Sequence, residues 1–142
     1  MRLTLHSDYA LRMLIQLALA EGALVPIAAV AQAHHISHNH LMKVAATLGR
    51  AGFVESVRGR AGGLRLARPA PAITGGDVLR LTEDGLDLVH CADCVLRPAC
   101  DLNGVLAEGM QAMFAVFDRR TLADLVRSGE RQRALLEGAR AA

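Results

Sequence analysis

The sequence predicts a mainly α-helical fold with a small β-hairpin. Three observations support this prediction. Apolar residues recur at helical spacing through most of the 142 residues, and one stretch, residues 53–68, alternates around glycines instead. A wide apolar stripe then follows three clustered cysteines. Together they indicate a winged helix-turn-helix domain joined to a long dimerisation helix.

Composition limits the class of protein. A chain of this length is one domain by size, and its 52% hydrophobic content fits a globular core built without tryptophan. No apolar run reaches the roughly 18 residues of a membrane span, and the amino terminus lacks the plan of a signal peptide, so we expect a cytoplasmic location. No nucleophile–base pair or catalytic carboxylate pair stands out, which argues against an enzyme.

The first two helices follow from capping signals. Thr4 or Ser7 can cap a first helix, and Gly22 supplies a stop. Asp8 lies in its first turn, where a carboxylate suits the helix dipole or an ion pair with Arg12. Pro26 is expected as the first residue of a second helix, because its missing N–H costs nothing there.

The third helix is the candidate reading element. Ser37 is expected to cap it, and Leu41, Val44 and Leu48 form its buried side. The outward residues gather in its amino-terminal half, which is the part that enters a major groove: His38, Asn39, His40 and Lys43. From this helix alone, an ordinary solvated face is an equal alternative.

Residues 53–68 predict a hairpin wing. Arg58 and Arg60 on its loop can grip phosphate or enter a minor groove, and Gly62 and Gly63 are expected to turn the chain with positive φ. A nucleotide-binding loop is disfavoured, because the lysine–serine or lysine–threonine ending is missing. Between residues 34 and 69 six cations face one acid, Glu55, although the net charge is only +2. The predicted partner is double-stranded DNA.

The rest of the chain divides at the cysteines. We expect the DNA-binding domain over residues 1–82, including a fourth helix from Thr74 that packs on the first, and a ligand loop over 83–101. The dimerisation helix and a short helix capped at Thr121 follow over 102–128. The charged, alanine-rich tail, 129–142, is expected to fray.

The three cysteines, Cys91, Cys94 and Cys100, lie within ten residues. Their odd number and the absence of a secretory leader disfavour a disulphide framework. Soft thiolate ligands for iron–sulphur or zinc explain them better than buried structural thiols. Three ligands leave a four-coordinate site open, so the fourth must come from elsewhere in the chain, a second subunit or an exogenous molecule.

Several separated motifs resemble one family. Met1-Arg-Leu-Thr, Asp8-Tyr-Ala-Leu-Arg12, Ile36-Ser-His-Asn-His-Leu-Met-Lys43, the glycine-rich wing Val57–Leu66 and Thr121-Leu-Ala-Asp-Leu125 resemble the Rrf2 winged-helix regulators, in particular their nitric-oxide-sensing branch. The resemblance implies a homodimer with an iron–sulphur cluster, 4Fe-4S rather than 2Fe-2S. It implies three cysteine ligands and Asp8 from the other subunit. Such repressors control nitric-oxide detoxification genes and leave DNA when nitric oxide reacts with the cluster.

One departure keeps alternatives open. Two residues separate Cys91 and Cys94, where relatives usually have four or five. The shorter tether allows a 2Fe-2S cluster or a ligand taken from His90, Asp93 or Asp101. A regulator that responds to iron or cluster supply, or a zinc or thiol-redox interaction module, are the competing functions.

Overall fold

The computed structural model describes residues 2–59, 61–83, 85 and 88–141. Its helices are α1 (Leu5–Leu19), α2 (Ile27–His34), α3 (His38–Arg50), α4 (Gly75–Thr82), α5 (Leu102–Asp118), α6 (Leu122–Leu125) and α7 (Gly129–Ala141). Two strands, β1 (Val54–Val57) and β2 (Gly63–Leu66), pair between α3 and α4, and 3₁₀ turns occupy Ala70–Ala72 and Arg97–Ala99. The predicted fold class, mainly α with a small hairpin, is confirmed. None of the described helices is long and apolar enough to span a membrane.

Helix α1 is the centre of the core. Ala10, Met13 and Leu14 are fully buried within it, and α2, α3, α4 and α6 all pack against it. Thr4 is the N-cap, and its hydroxyl accepts a hydrogen bond of 3.2 Å from the Ser7 N–H. The helix ends at Leu19, before the expected stop, and Gly22 takes a φ of 90° in the turn that follows.

Helices α2 and α3 form the helix-turn-helix. Pro26 precedes α2 as its N-cap instead of beginning it. The turn passes through His35 in the left-handed region, with φ of 52°, and through buried Ile36. Leu41 and Leu48 of α3 are fully buried, so the core fixes which side of this helix faces outward.

The wing glycines have a different role from the one predicted. Gly59 has the positive φ, 115°, and neither Gly62 nor Gly63 lies in that region. Instead, a Cβ on Gly63 would stand 2.8 Å from the Val25 backbone, because Val25 and Leu64 exchange hydrogen bonds of 2.9 and 2.8 Å. A Cβ on Gly62 would stand 2.3 Å from the Val57 oxygen. Gly62 and Gly63 allow other backbone segments to approach closely. The alternation of apolar and polar residues within the hairpin does not reveal such contacts.

Helix α4 packs against both α1 and α5. Thr74 and Asp77 close a capping box, and Val78 and Leu79 are buried, with α4 packed on α1 as expected. On its exposed side Arg80 pairs with both carboxylate oxygens of Asp118, at 2.7 and 2.8 Å. The structure thus joins α4 to the end of α5 by a bidentate pair.

The carboxyl end is helical, where the sequence analysis expected a frayed tail. Thr121 and Asp124 cap α6 reciprocally, as predicted. Helix α7 then packs against α2 and α1, and Arg133 Nη1 donates to the Leu19 oxygen at 2.9 Å and to Glu21 at 3.1 Å. Because these partners lie more than 110 residues away, local composition alone did not reveal them.

Candidate nucleic-acid interface and cysteine loop

Helix α3 presents the predicted polar residues to solvent. Ser37, His38, Asn39, His40 and Lys43 are all exposed, opposite the buried side of the helix. Ser37 stands at the N-cap position, but its side chain makes no capping hydrogen bond, contrary to expectation. The exposed residues carry both donors and acceptors and therefore suit base edges and phosphates.

His40 also contacts another helix. Its ring stacks on Tyr9 of α1, with centroids 6.1 Å apart and planes inclined by 28°. The sequence analysis expected His40 to point outward only, but its ring also packs on α1. Its neighbours along the helix period, Asn39 and Lys43, remain on the exposed face.

The loop of the wing contributes one described cation to the candidate DNA-binding surface. Arg58 is exposed and directly follows β1, while Arg60 lies outside the described residues. Further from the loop, Arg65 pairs with Glu55, and Arg68 stacks over Phe53 at 4.0 Å and donates to the Gly52 oxygen. These last two arginines of the predicted basic region therefore have partners within the chain.

The cysteine loop holds three free thiols. Cys94 and Cys100 are exposed, and Cys91 is partly buried. Backbone hydrogen bonds from Cys94 to Cys91 and from Arg97 to Cys94 fold the loop into successive turns. A cavity of about 470 Å³ lies beside it, lined among others by His90, Cys91 and Arg97. The thiols are accessible, which ligation requires.

The described chain does not bring a complete ligand set together. Among the described residues, no three His, Cys, Asp or Glu side chains are placed to hold a metal ion. His90 and Asp93 approach to 3.9 Å, with side chains 84% and 96% exposed, and Asp101 is exposed at the N-cap of α5. The thiols have the right chemistry for a cluster, but one described chain does not supply a closed site.

Asp8 is held by its own helix. Its carboxylate accepts from Arg12 Nε at 2.8 Å, which raises the pKa of Arg12 against the opposing effect of burial. Its backbone N–H donates to the Thr4 oxygen at 3.1 Å. The ion pair predicted from the i, i+4 spacing is therefore present. The structure does not join Asp8 to the cysteines of the same chain.

The sequence analysis missed a polar contact between α1 and the start of the cysteine loop. Glu83 accepts hydrogen bonds from the Thr4 N–H at 2.9 Å and the Thr4 hydroxyl at 3.2 Å, and the buried Ser7 and Thr82 hydroxyls lie 2.7 Å apart. Burial acts to raise the pKa of Glu83, but hydrogen bonds from Ser7 and Thr4 together lower it. The sequence offered Thr4 and Ser7 as alternative caps: Thr4 is the N-cap, whereas Ser7 lies within α1 and contacts Thr82 instead.

Helix α5 exposes much of its apolar surface. Phe114 is its buried residue, whereas Leu102, Val105 and Val116 are exposed. A cavity of about 460 Å³ runs along the helix between Leu88, Met110 and Phe114. The apolar stripe seen in the sequence is thus largely uncovered in the single chain.

Comparison with known proteins identifies the class. Residues 3–128 match the Rrf2 family, described as iron-dependent transcriptional regulators. The regulator NsrR of Bacillus subtilis is 46% identical over 136 residues, which is 92% of this chain and 93% of that protein. NsrR of Shouchella clausii is 43% identical over 143 residues, 96% of each.

Solved structures agree with the sequence match. T. potens IscR superposes with a TM-score of 0.72 at 28% identity, covering 93% of this chain and 90% of that one. CymR, titled the global cysteine regulator of B. subtilis, gives 0.68 at 28% identity, covering 88% and 95%. The chain therefore belongs to the Rrf2 family of transcriptional regulators and is similar to the NsrR proteins within it.

Proposed function

We propose that this chain is an iron–sulphur-dependent, DNA-binding repressor that senses nitric oxide and derepresses nitric-oxide detoxification genes. The observation that carries the proposal is the group of three free thiols on one accessible loop between the helix-turn-helix and α5. The similarity to NsrR proteins supports it. The cytoplasm, which holds both DNA and reduced thiols, is the proposed location.

The donor set fits a cluster. Cys91, Cys94 and Cys100 supply soft thiolates, and none of them is in a disulphide. We assign the fourth ligand to Asp8 of the partner subunit and favour 4Fe-4S over 2Fe-2S. Within one chain one oxygen of Asp8 accepts a hydrogen bond from Arg12 Nε at 2.8 Å. An exposed ion pair of this kind is weak, so it would not prevent Asp8 from holding iron.

The ligand residues tie the two subunits together. When bound, the cluster supplies the iron at which nitric oxide reacts. A carboxylate is a harder ligand than thiolate, so Asp8 of the partner subunit would hold the cluster more weakly than the three cysteines. An Asp8 ligand contributed across the dimer would connect the subunits, and without that connection the separation of the two α3 helices would no longer be fixed.

The DNA interface follows from exposure and charge. In a homodimer paired through α5, two copies of α3 place Ser37, His38, Asn39, His40 and Lys43 in successive major grooves of an operator. We assign contacts with the neighbouring DNA backbone to the wing residues Arg58, Gly62 and Gly63 and to Arg60, which lies outside the described residues. Half-site spacing then reports the distance between the two subunits.

The test is cofactor analysis of protein prepared without oxygen. Iron, labile sulphide and cluster absorbance are measured, and affinity for promoter DNA is followed while nitric oxide is added. Loss of absorbance and loss of affinity are expected together. Protein that lacks iron and sulphide after reconstitution, or DNA affinity that survives reaction of the cluster, would refute the sensing function.

A second candidate is a regulator in which cluster occupancy itself is the signal. The family description, iron-dependent transcriptional regulator, favours it. Iron limitation and nitric oxide are compared on one promoter in cells. A response to iron limitation at full strength, with none to nitric oxide, supports this candidate over the first. Zinc without iron or sulphide would instead support an interaction module.

A further inference from the structure

We infer that Met42 of α3 reads the C5-methyl group of a thymine in the major groove. The inference deepens the proposed function, since it rests on α3 entering that groove. Met42 follows Asn39 by three residues and precedes Lys43, so the three side chains lie on one face of the helix. Ala46 lies one turn further on, and its small side chain leaves room on that face for the bases.

Met42 is a large apolar residue on a face whose other large side chains are polar. Its exposed fraction is 48%, and it is the large exposed hydrophobic residue among the described residues of α3. Leu41, Val44 and Leu48, on the other side, are 0 to 1% exposed. The core therefore fixes the helix so that Met42 points away from its own chain, and rotating it inward would expose the leucines.

The chemistry of the groove supplies a matching group. The thymine methyl is the apolar group that a base pair presents in the major groove, and apolar side chains contact it. Methionine is unbranched and polarisable, so it adapts to a small methyl target. Asn39 on the same face suits an adenine edge, and Lys43 suits guanine or phosphate. With Met42 contacting a methyl group beside the polar contacts of Asn39 and Lys43, each half-site requires a thymine at one position.

Charge selects duplex DNA as the occupant. Helix α3 contains no Asp or Glu, and it carries Lys43 and Arg50, with Arg58 on the adjoining wing. Met42 is the one large exposed apolar side chain of α3, a helix described in full, whereas several large exposed apolar residues, the type of surface that binds proteins, lie on α5. Met42 therefore fits one methyl group within a charged interface.

The test pairs one side chain with one methyl group. A palindromic duplex is first selected from random DNA by the wild-type chain, in both the cluster-loaded and the cluster-free form. Each thymine is then replaced by deoxyuridine together with its symmetry-related thymine in the other half-site, which removes only the two methyl groups, and Kd is measured at fixed salt. At one such pair, wild-type affinity is expected to fall about fourfold per half-site, the value of one buried methyl-sized group.

The variant Met42→Ala completes the cycle. It is expected to lose a similar factor on the thymine duplex and nothing further on the deoxyuridine duplex. Leu135→Ala, which truncates an exposed residue of α7, is the control and should keep the wild-type response to deoxyuridine. If Met42→Ala keeps full sensitivity to the methyl, or if no thymine methyl matters to the wild type, the inference is wrong.

The outcomes separate this inference from the proposed function. If the Met42 side chain and the thymine methyl are coupled but nitric oxide does not change DNA affinity, the sensing function is refuted and the contact of Met42 with thymine stands. A nitric-oxide response without methyl coupling refutes only Met42. If the wild-type chain selects no sequence in either form, both are overturned.

Discussion

At the scale of single residues, Asp8 has one partner in the described chain and a second in the proposed dimer. In the described chain its carboxylate binds Arg12, and in the proposed dimer it binds iron. The ion pair is exposed and between residues four apart, so it contributes only about 0.3–0.5 kcal/mol. Folding therefore depends little on Asp8, whereas the proposed cluster depends on it directly.

Asp8→Ala is expected to shorten the lifetime of the reconstituted cluster in air while leaving the cluster-free chain folded. Cluster absorbance over time and thermal unfolding of the cluster-free protein measure the two effects. The matched control is Arg12→Gln, which removes the same ion pair but keeps the carboxylate. A wild-type lifetime in Asp8→Ala removes Asp8 from the ligand set.

Glu83 makes the stability of the chain depend on pH. Burial opposes its ionised form, but hydrogen bonds from Ser7 and Thr4 outweigh burial and leave its folded pKa below the ordinary value. The depressed pKa fixes the direction in which stability changes with pH. A carboxylate with a depressed folded pKa contributes stability that is present above its unfolded pKa, about 4.3, and is lost as pH falls through the folded pKa.

Glu83→Gln is expected to remove this contribution. Urea unfolding should show the variant less stable than the wild type at pH 7, with a gap that narrows as the pH is lowered below about 4. Glu21→Gln, at an exposed ion pair with Arg133, should show a smaller gap at pH 7. A gap for Glu83→Gln that stays constant down to pH 3 contradicts the assigned pKa shift.

At the scale of elements, the wing depends on its attachment to the segment before α2. Val25 and Leu64 bond through their backbones, and Gly63 lies against Val25 at a distance that excludes a side chain. A two-stranded hairpin is only marginally stable alone. The added pairing fixes the wing, and with it Arg58, relative to the helix-turn-helix.

Gly63→Ala is expected to destabilise the protein by about 1–3 kcal/mol, because the added methyl must push two backbones apart. Gly138→Ala in α7 is the matched control. A Cβ there meets nothing within 4 Å, so the change should stabilise by about 0.5–1 kcal/mol. Urea unfolding measures both. Equal effects of the two substitutions contradict the role assigned to Gly63.

At the scale of the whole molecule, α5 is attached at one end and uncovered along its length. Arg80 and Asp118 fix its last turn to α4, and α4 packs on α1, which in turn packs on α3. The exposed side of α5 is apolar. A second subunit bound to that side is therefore connected rigidly to the recognition helix.

Val105→Glu is expected to shift a dimer to monomer, because it places a charge where the proposed α5 interface excludes water. Val105 is 60% exposed in the single chain, so folding should be unaffected. Sedimentation measures the oligomeric state, and affinity for two half-sites should fall much more than affinity for one. Leu135→Glu, at a residue 67% exposed on α7, should remain dimeric. If Val105→Glu remains a dimer, the dimer interface does not include this side of α5.

Much of the fold was predictable because its signals are local. The start of α4 at Thr74, the cap at Thr121 and one of the two alternatives for the first helix, Thr4, agree with the structure. The helical period of α3 was also predicted correctly. The tail was wrong, because the contact that orders α7, from Arg133 to Leu19, spans more than 100 residues. The prediction of a positive φ at Gly63 was wrong for the same reason, since its neighbour Val25 lies far away in sequence. At Gly62 the neighbours are local, and Gly59 takes the positive φ instead.

The sequence by itself determined the chemistry of this protein: where α1 to α6 form, which side of α3 is polar, and that three thiols share one loop. Those properties depend on spacing between near neighbours. Only the tertiary structure decided that Glu83 holds Thr4, that Met42 points away from the core and that α5 is left uncovered. These depend on which distant surfaces compete for burial, and periodicity along one segment carries no information about that competition.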